Sequence, residues 1–525
     1  MKAIYKYSLI GLLGATLTTA CSDDKLDTTP STYVGTEMMT GSASSAIAAI
    51  DGTYRLFYTT GYTTAWEHEE FGLSAINLTA DLMGDDHIQQ KSGSGWFYYD
   101  YQVYNVFGDW TSNAGHQYQI WNFFYTLISN ANYILANKEM GGDEDYYNYV
   151  MGQAYALRSF CYMWLVQTYQ QNGALYGTDL PGVPLYTEPT VAGSVGKGRG
   201  TVADVYKLAN EDIDAAIACL SKTKLAQLHK SHVSLAVAYG LKARHALVQH
   251  DYATALSAAE AAMKGQCIGS WDDIKTVNNV AKKNVMWGLA IQTDQALGNH
   301  DIYAHMDADS KSNYSDGRHL IGNWLYDRIP DTDVRKAWWT APLDESEWGA
   351  PATANGSKRS WCQKKLVYID AASSTGDHIL MRTEEIYLIA AEAACEAGDY
   401  SKAREYLSAV EAARDPEYAA RLAKMKDSKV LNPNTAGEIS TLMDEIFFQR
   451  RVELWSENPR LFDLQRRGLA FNRAWNGTNH TILCTDYTTK PGSANFILWI
   501  PQAEFDGNEN MDLAKDQNPA QGKGL

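Results

Sequence analysis

Cysteine is scarce in this chain. Seven stand among 525 residues, none as CxxC and none at the spacing of a metal site. Cys161, Cys219 and Cys395 fall inside helical patterns, where a lone cysteine behaves as a small buried apolar group. Cys267, Cys362 and Cys484 lie near loops, and no essential disulfide framework is expected. Positive charge is also short: 45 Lys and Arg face 62 Asp and Glu, a formal net charge of −17. An acidic surface argues against nucleic acid and against a basic grip on anionic lipid. No run approaches the roughly 18 unbroken apolar residues of a spanning helix. Strands and helices do not alternate regularly, which argues against a doubly wound sheet. Catalytic and cofactor motifs are missing too. There is no GxSxG elbow. The stretch GKGRG at Gly196 has neither Rossmann nor P-loop spacing, and HEEF at His68 lacks the second histidine of a zinc helix. DADSKSNYSDG, from Asp307, holds Lys311 and Ser312 where an EF-hand needs an acid or amide and then a glycine. Neither a metal nor an organic cofactor is expected.

What the chain does have is rings and helix. Aromatic residues make up 12%, with 33 Tyr and 15 Trp, an excess that suits stacking surfaces for a ligand or partner. Lys2 and Lys6, an apolar core from Leu9 to Leu17 and the small exit Thr18-Thr19-Ala20 predict a secretory signal peptide over residues 1–20. Cys21 follows at once, then Ser22, Asp23 and Asp24. A cysteine there resembles the acylation site of a bacterial lipoprotein, with Thr18 standing where a leucine is usual. On this reading the mature chain starts at a lipidated Cys21 and is anchored to a membrane without spanning it. Each buried methylene of an acyl chain adds about 0.8 kcal/mol. Losing the two leader lysines takes the net charge to −19. Residues 21–40 are polar, include Pro30, and read as a flexible tether.

From Ser44 onward helical spacing dominates. Ile47, Ile50, Tyr54 and Phe57 share one face, and similar patterns run from Ile120, from Asp145 and from Thr201, the last a helix cap. An internal repeat appears at an offset of 148: Ala243 matches Ala391, Ala246 matches Ala394, Asp251-Tyr252 matches Asp399-Tyr400, and Ala255 matches Ala403. Each copy reads as helix, tight turn, helix, with alanines where the helices approach, the logic of a tetratricopeptide hairpin. The hairpins cover about 233–265 and 383–414. Between them, residues 266–380 lose helical period and gain Gly, Asn, Asp and Trp. That stretch reads as an irregular insertion, the kind of segment that carries function. The fold class is mainly all-α, in one unit from 41 to 525.

Five stretches in order are similar to one family. They are CSDDKLDTTPSTY; ALRSFCYMWLVQTYQ followed by GVPLYTEP; RTEEIYLIAAEAACEAGDYSKAREYLSAVEAAR; EIFFQRRVELWSENPRLFDLQRRG; and LWIPQAEFDGNENM with the terminal QNPAQ. The chain resembles the SusD/RagB family of surface lipoproteins. Phe448 and Gln449 depart from it, since an acid commonly precedes Arg450-Arg451 there. The resemblance implies a non-enzymatic protein on the outer face of the outer membrane. It would capture a nutrient and act as lid on a partner SusC-like TonB-dependent transporter. Many members bind glycans and some bind peptides, so oligosaccharide is the expected ligand and peptide the alternative. The acids after Cys21 resemble the address that sends such lipoproteins outward.

Candidate ligand residues come from two stretches. SGWFYYDYQVYNVFGDW, residues 94–110, packs rings densely between helix-breaking glycines: Trp96, Phe97, Tyr98, Tyr99, Tyr101 and Tyr104. Just upstream stand Asn77, Asp81, Asp85, Asp86 and His87, able to hydrogen-bond to sugar hydroxyls. The insertion adds Trp287, Tyr303, Trp324, Tyr326, Trp338, Trp339 and Trp348, with Arg335 and Lys336 beside the Trp pair as a stacking wall with donors. For every one of these rings a place in the core is the alternative. The charge group Arg450, Arg451, Glu453, Glu457, Arg460, Asp463, Arg466 and Arg467 reads as an ion-pair network, with Glu453 and Glu457 on one face and Arg460 in reach of Glu457. Two rival classes stand beside the capture reading. A surface glycoside hydrolase needs two carboxylates in a cleft, one with a raised pKa. A plain repeat scaffold would bind only protein.

Overall fold

The computed structural model describes residues 41–60, 68–90, 96–102, 110–112, 115–309, 319–344, 359–470, 472–481 and 489–520, without the Tyr99 side chain. Helical spacing in the sequence becomes helix, in several cases opened by a side-chain cap. Helix α1 (Ala43–Arg55) opens with a Ser42–Ser45 capping box. Helix α2 (Leu73–Leu82) follows Gly72, whose φ is +81°. A Cβ at Gly72 would stand 2.1 Å from the Phe57 carbonyl oxygen, so only glycine fits. Strand β1 (His87–Gln89) comes next, then α3 (His116–Ala136) and the long α4 (Glu144–Tyr169), buried along most of its length. A short β2–β3 pair (Pro181–Pro184, Arg199–Thr201) leads into α5 (Val202–Leu220), capped by a Thr201–Asp204 box.

The repeat then becomes visible as geometry. Helices α6 (Leu235–Val248) and α7 (Tyr252–Met263) form one hairpin. Strands β4 (Val285–Leu289), β5 (His319–Ile321) and β6 (His378–Arg382) separate it from the second hairpin, α8 (Thr383–Glu396) and α9 (Tyr400–Glu411). Asp251 caps α7 by accepting from Thr254 N, and Asp399 caps α9 by accepting from Lys402 N. The residue before each cap has positive φ, His250 at 58° and Gly398 at 80°. Ala243, Ala255, Ala391, Ala394 and Ala403 have no exposed surface, or almost none, which lets the helices of each pair approach closely. Because α7 also packs on α8, the two hairpins run on in space although 119 residues separate Met263 from Thr383 along the chain.

Three buried clusters result. The first lies under α1 and α3–α8. The second gathers α2, β1 and β5 with described residues between Trp271 and Leu366, among them the short helices Ile302–Met306 and Asn323–Arg328. The third seals α8 and α9 against α10 (Leu442–Glu453). Helix α11 (Arg460–Arg466) follows after a turn. The fold is mainly α-helical, with three two-stranded antiparallel sheets among the described residues.

Candidate functional site

The densest chemistry is a charge cluster with almost no exposed surface. Glu453, at the end of α10, accepts from Arg335, Arg382 and Arg414 at 3.1, 2.8 and 3.2 Å. Arg335 also holds Asp333 and Glu411, and Arg382 holds Glu457 and Glu384. The Lys365 ammonium donates to the carbonyls of Glu453 and Trp455 and pairs with Glu457. Burial pushes the Glu453 carboxyl up, but its three arginines outweigh burial and hold its pKa well below the usual range. One expectation is corrected here. Arg460 does not reach Glu457, because α10 ends at Glu453, Ser456 takes a φ of 58°, and Pro459 starts the next helix. Arg460 turns instead to Asp85, at 2.8 Å.

That turn fixes the fate of the acidic candidates. Asp85 and Asp86 are buried, Asp85 against Arg460 and Asp86 against Arg451 at 2.8 Å. Burial alone would raise the Asp85 pKa, yet Arg460 and Arg451 hold it low; in Asp86 burial wins and the shift is upward. Asp81 accepts from Arg460 N at 3.1 Å and lies 2.7 Å from His87 Nδ1. Burial pushes its pKa up to about 7. His87 Nε2 meets His319 Nδ1 at 2.8 Å across the β1–β5 pair, so carboxylate, imidazole and imidazole form a chain linking α2, β1 and β5. Burial takes the His87 pKa down to about 3 and His319 well below the ordinary range, so both rings are neutral at pH 7.

The ring candidates divide sharply. Tyr98, Tyr101, Tyr303, Trp324 and Trp338 all lie in the second cluster. The Trp338 indole donates to Ile274 O at 2.9 Å, and the Tyr303 hydroxyl donates to Asp377 O. Tyr101 stacks on His480 and hydrogen-bonds to its Nδ1 at 2.8 Å. Trp324 has the guanidiniums of Arg328 and Arg451 at 4.1 and 4.5 Å from its ring centre. The stacking wall expected at Trp338-Trp339 is core instead, with Arg335 drawn into the charge cluster; Lys336 pairs with Asp331. Trp287 is buried on β4. Cys21, Tyr104, Trp348 and the Tyr99 side chain lie outside the described residues.

Half-open rings remain at the rim of the second cluster: Trp96, Trp361, Tyr368 and Trp475. Trp96 stacks on His68 at 5.0 Å, and His68 meets His300 edge to face at 4.4 Å. Tyr368 donates to Gly298 O at 3.1 Å, two residues from His300. Trp96, His68, His300 and Tyr368 therefore form one patch beside the β1–β5 pair. Trp361 hydrogen-bonds through its backbone to Ile321, on the far edge of β5. Sequence reasoning found Trp96 but missed the histidines and Tyr368. Their only signal is pairing between distant segments, 232 residues apart for His68 with His300 and 70 for Tyr368 with Gly298.

Two further groupings bear on chemistry. Among the described residues, Glu69, Asp100 and His116 bring ligand atoms within 4.8 Å of one another, buried, as a set able to hold a cation. Ser74 Oγ lies 2.9 Å from His378 Nδ1, and His378 Nε2 lies 3.3 Å from Asp301. A serine nucleophile is served by Nε2 in the usual triad, with the acid on Nδ1. Here the ring is used the other way round, and the bonds tie α2 to β6.

Helical hairpins carrying a second, ring-rimmed core under an irregular segment define a tetratricopeptide-like frame. The SusD family model matches residues 331–520. A second model, described as starch-binding associating with outer membrane, matches residues 74–247. The two models, over different parts of the chain, assign it as SusD-like. Its fold is that of solved proteins of this kind. A SusD-like carbohydrate binding protein from Bacteroides vulgatus shares 22% identity over 91% of this chain and 99% of its own, at a TM-score of 0.73. A SusD superfamily protein from Bacteroides thetaiotaomicron shares 21% over 91% and 100%, at 0.71. No curated protein matches the sequence. No helix among the described residues is long and apolar enough to cross a membrane.

Proposed function

We propose that this chain captures an oligosaccharide at the cell surface without cleaving it. It delivers the sugar to a partner SusC-like TonB-dependent transporter in the outer membrane, which it covers as a lid. A lipid on Cys21 holds it to the membrane, and residues 22–40 let it move. The observation that carries the ligand assignment is the half-open patch of Trp96, His68, His300 and Tyr368. Flat rings offer apolar faces to the C–H side of a pyranose, and their polar edges offer hydrogen bonds. The family description, starch-binding and associated with the outer membrane, supports both parts of this reading. The non-catalytic part is supported by the acids. Asp85 and Asp86 are clamped by arginines, and both Asp81 oxygens are engaged inside the core. None has the open, paired setting that glycoside hydrolysis uses.

The test is a glycan and peptide array probed with the full-length protein, with products monitored in the same wells. Binding to one glycan class without products is expected, and Trp96→Ala should weaken it at least tenfold. Binding to peptides alone would overturn the glycan assignment, and product formation would overturn the non-enzymatic one.

A further inference from the structure

A second cleft lies away from the Trp96 patch, where α2, α4, α6 and α8 converge on α11. It encloses about 810 Å³ of empty space, its open mouth included. Its interior has room for roughly six to nine water molecules, about the size of one sugar ring. The floor is apolar and aromatic: Phe160, Met163, Trp164, Leu241 and Trp287 are all buried there. The mouth is polar and half-exposed, with Asn77, Gln167 and Asn458 beside the ring of Phe462.

Two features decide what such a cleft accepts. The first is charge. Every ionised side chain on its wall already has a partner: Arg244 with Glu385, Arg450 with Asp463, Arg466 with Glu392, Glu457 with Arg382. A charged ligand would meet no unmatched counter-charge, and would leave its hydration behind. The second is hydrogen bonding. Asn77 Oδ1 and Arg450 Nη1 both belong to cleft-lining side chains and both lack a hydrogen-bond partner; Arg450 is only 7% exposed. One is an acceptor and the other a donor. Hydroxyl groups suit both kinds of atom, since each donates one hydrogen bond and accepts others. The rings of Trp164 and Phe462, packed edge to face at 4.9 Å, supply apolar surface beside these groups.

We propose that this cleft is a second binding site, separate from the Trp96 patch, and that it takes a single neutral hydroxylated ring, a monosaccharide or one terminal residue of a glycan. The site does not depend on the ligand assigned to the outer patch.

The experiment titrates the full-length protein with D-glucose, D-galactose and N-acetyl-D-glucosamine, and with benzoate as an anionic ring. Saturation-transfer NMR and calorimetry are the readouts. At least one sugar should bind and benzoate should not. Asn77 is half-exposed on α2, so Asn77→Ala should fold normally and weaken the sugar roughly two- to twelvefold, the loss of one neutral hydrogen bond. Leu241→Trp, which fills the floor, should abolish binding where thermal unfolding shows the variant folded. Trp96→Ala should leave monosaccharide affinity within twofold. Failure of all three sugars, a preference for benzoate, or loss on Trp96→Ala with Asn77→Ala unaffected would each overturn the proposal. A failure of the outer-patch assignment would instead show as oligosaccharide binding that ignores Trp96→Ala.

Discussion

Removing the charge of Glu453 should cost far more than removing the charge of Glu411, although both carboxylates touch Arg335 in the same buried cluster. Arg335, Arg382, Arg414 and Lys365 bring four positive charges there, and Asp333, Glu384, Glu411, Glu453 and Glu457 bring five carboxylates. One carboxylate is in excess, and the environment decides which keeps a proton. Glu453 is held ionised by three arginines. Burial, with the charges of Asp333 and Glu453 adding to it, outweighs Arg335 and pushes the Glu411 pKa up to about 8. Glu453→Gln therefore strips a charge that three guanidiniums need, and breaking a buried pair this way costs about 3–5 kcal/mol. Glu411→Gln replaces a group that is already mostly neutral at pH 7, so its cost should stay within about 1 kcal/mol. At about 2.1 cal/mol/K per residue, a chain of this length unfolds with an entropy near 1 kcal/mol/K, so these become Tm losses of about 3–5 °C and about 1 °C. The pH dependence separates the two further. The folded chain holds the Glu411 proton more tightly than the unfolded chain does. Wild-type stability therefore falls as pH rises from 4.5 toward 8. Glu411→Gln lacks that loss and should gain about 2.3 kcal/mol on wild type between pH 6 and 8. Thermal and urea unfolding at both pH values measure this. Equal losses for the two variants, or a gap that does not move with pH, would refute the assignment of the proton.

Two other perturbations follow from single positions. Burial takes the His245 pKa down to about 3, with Arg244 adding to the shift. The unfolded chain then binds the proton first, so the stability from this neutral ring is complete above pH 6.5 and lost as pH falls toward 3. Between pH 7 and 5 the wild-type advantage over His245→Asn should shrink by about 2 kcal/mol, read from urea unfolding at the two pH values. Gly72→Ala forces a Cβ to within 2.1 Å of the Phe57 oxygen at a φ of +81°, and should cost at least ~2 kcal/mol, seen as a Tm loss and as faster amide exchange at the start of α2.

The parts of the fold that were legible are those written locally. The two hairpins share alanines and an Asp-Tyr turn, and the structure repeats the turn down to the cap bond of Asp251 and Asp399. Thr201 was readable as a cap because its partner, Asp204, stands three residues on. The charge cluster was half legible. Its α10 and α11 members stand together in sequence, but Arg335, Arg382 and Arg414 come from segments whose approach no local pattern announces. The β1–β5 pair was invisible, since three-residue strands 232 residues apart carry no period. Ring density singles out the stretch 94–110 without saying which rings face out. Trp96 stays half open while Tyr98 and Tyr101, two and five residues on, go under. Composition sees eight aromatic residues there; only packing separates a floor from a rim.

The pairing of β4 with β6 has a consequence for how this chain varies. The two strands clasp residues 290–377 at their base, with Leu289 opposite His378. The ends of that excursion are held together whatever lies between them. The entropy of closing such a loop grows only with the logarithm of its length, so doubling it adds about 0.6 kcal/mol. Natural variation can therefore lengthen or shorten the surface parts of that stretch, such as those carrying His300 and Tyr368, at little closure cost, while Asp333, Arg335 and Lys365 stay tied to the charge cluster. The clasp confines a change in the rim rings of this stretch to one segment of the chain, and marks where a graft between relatives should be cut.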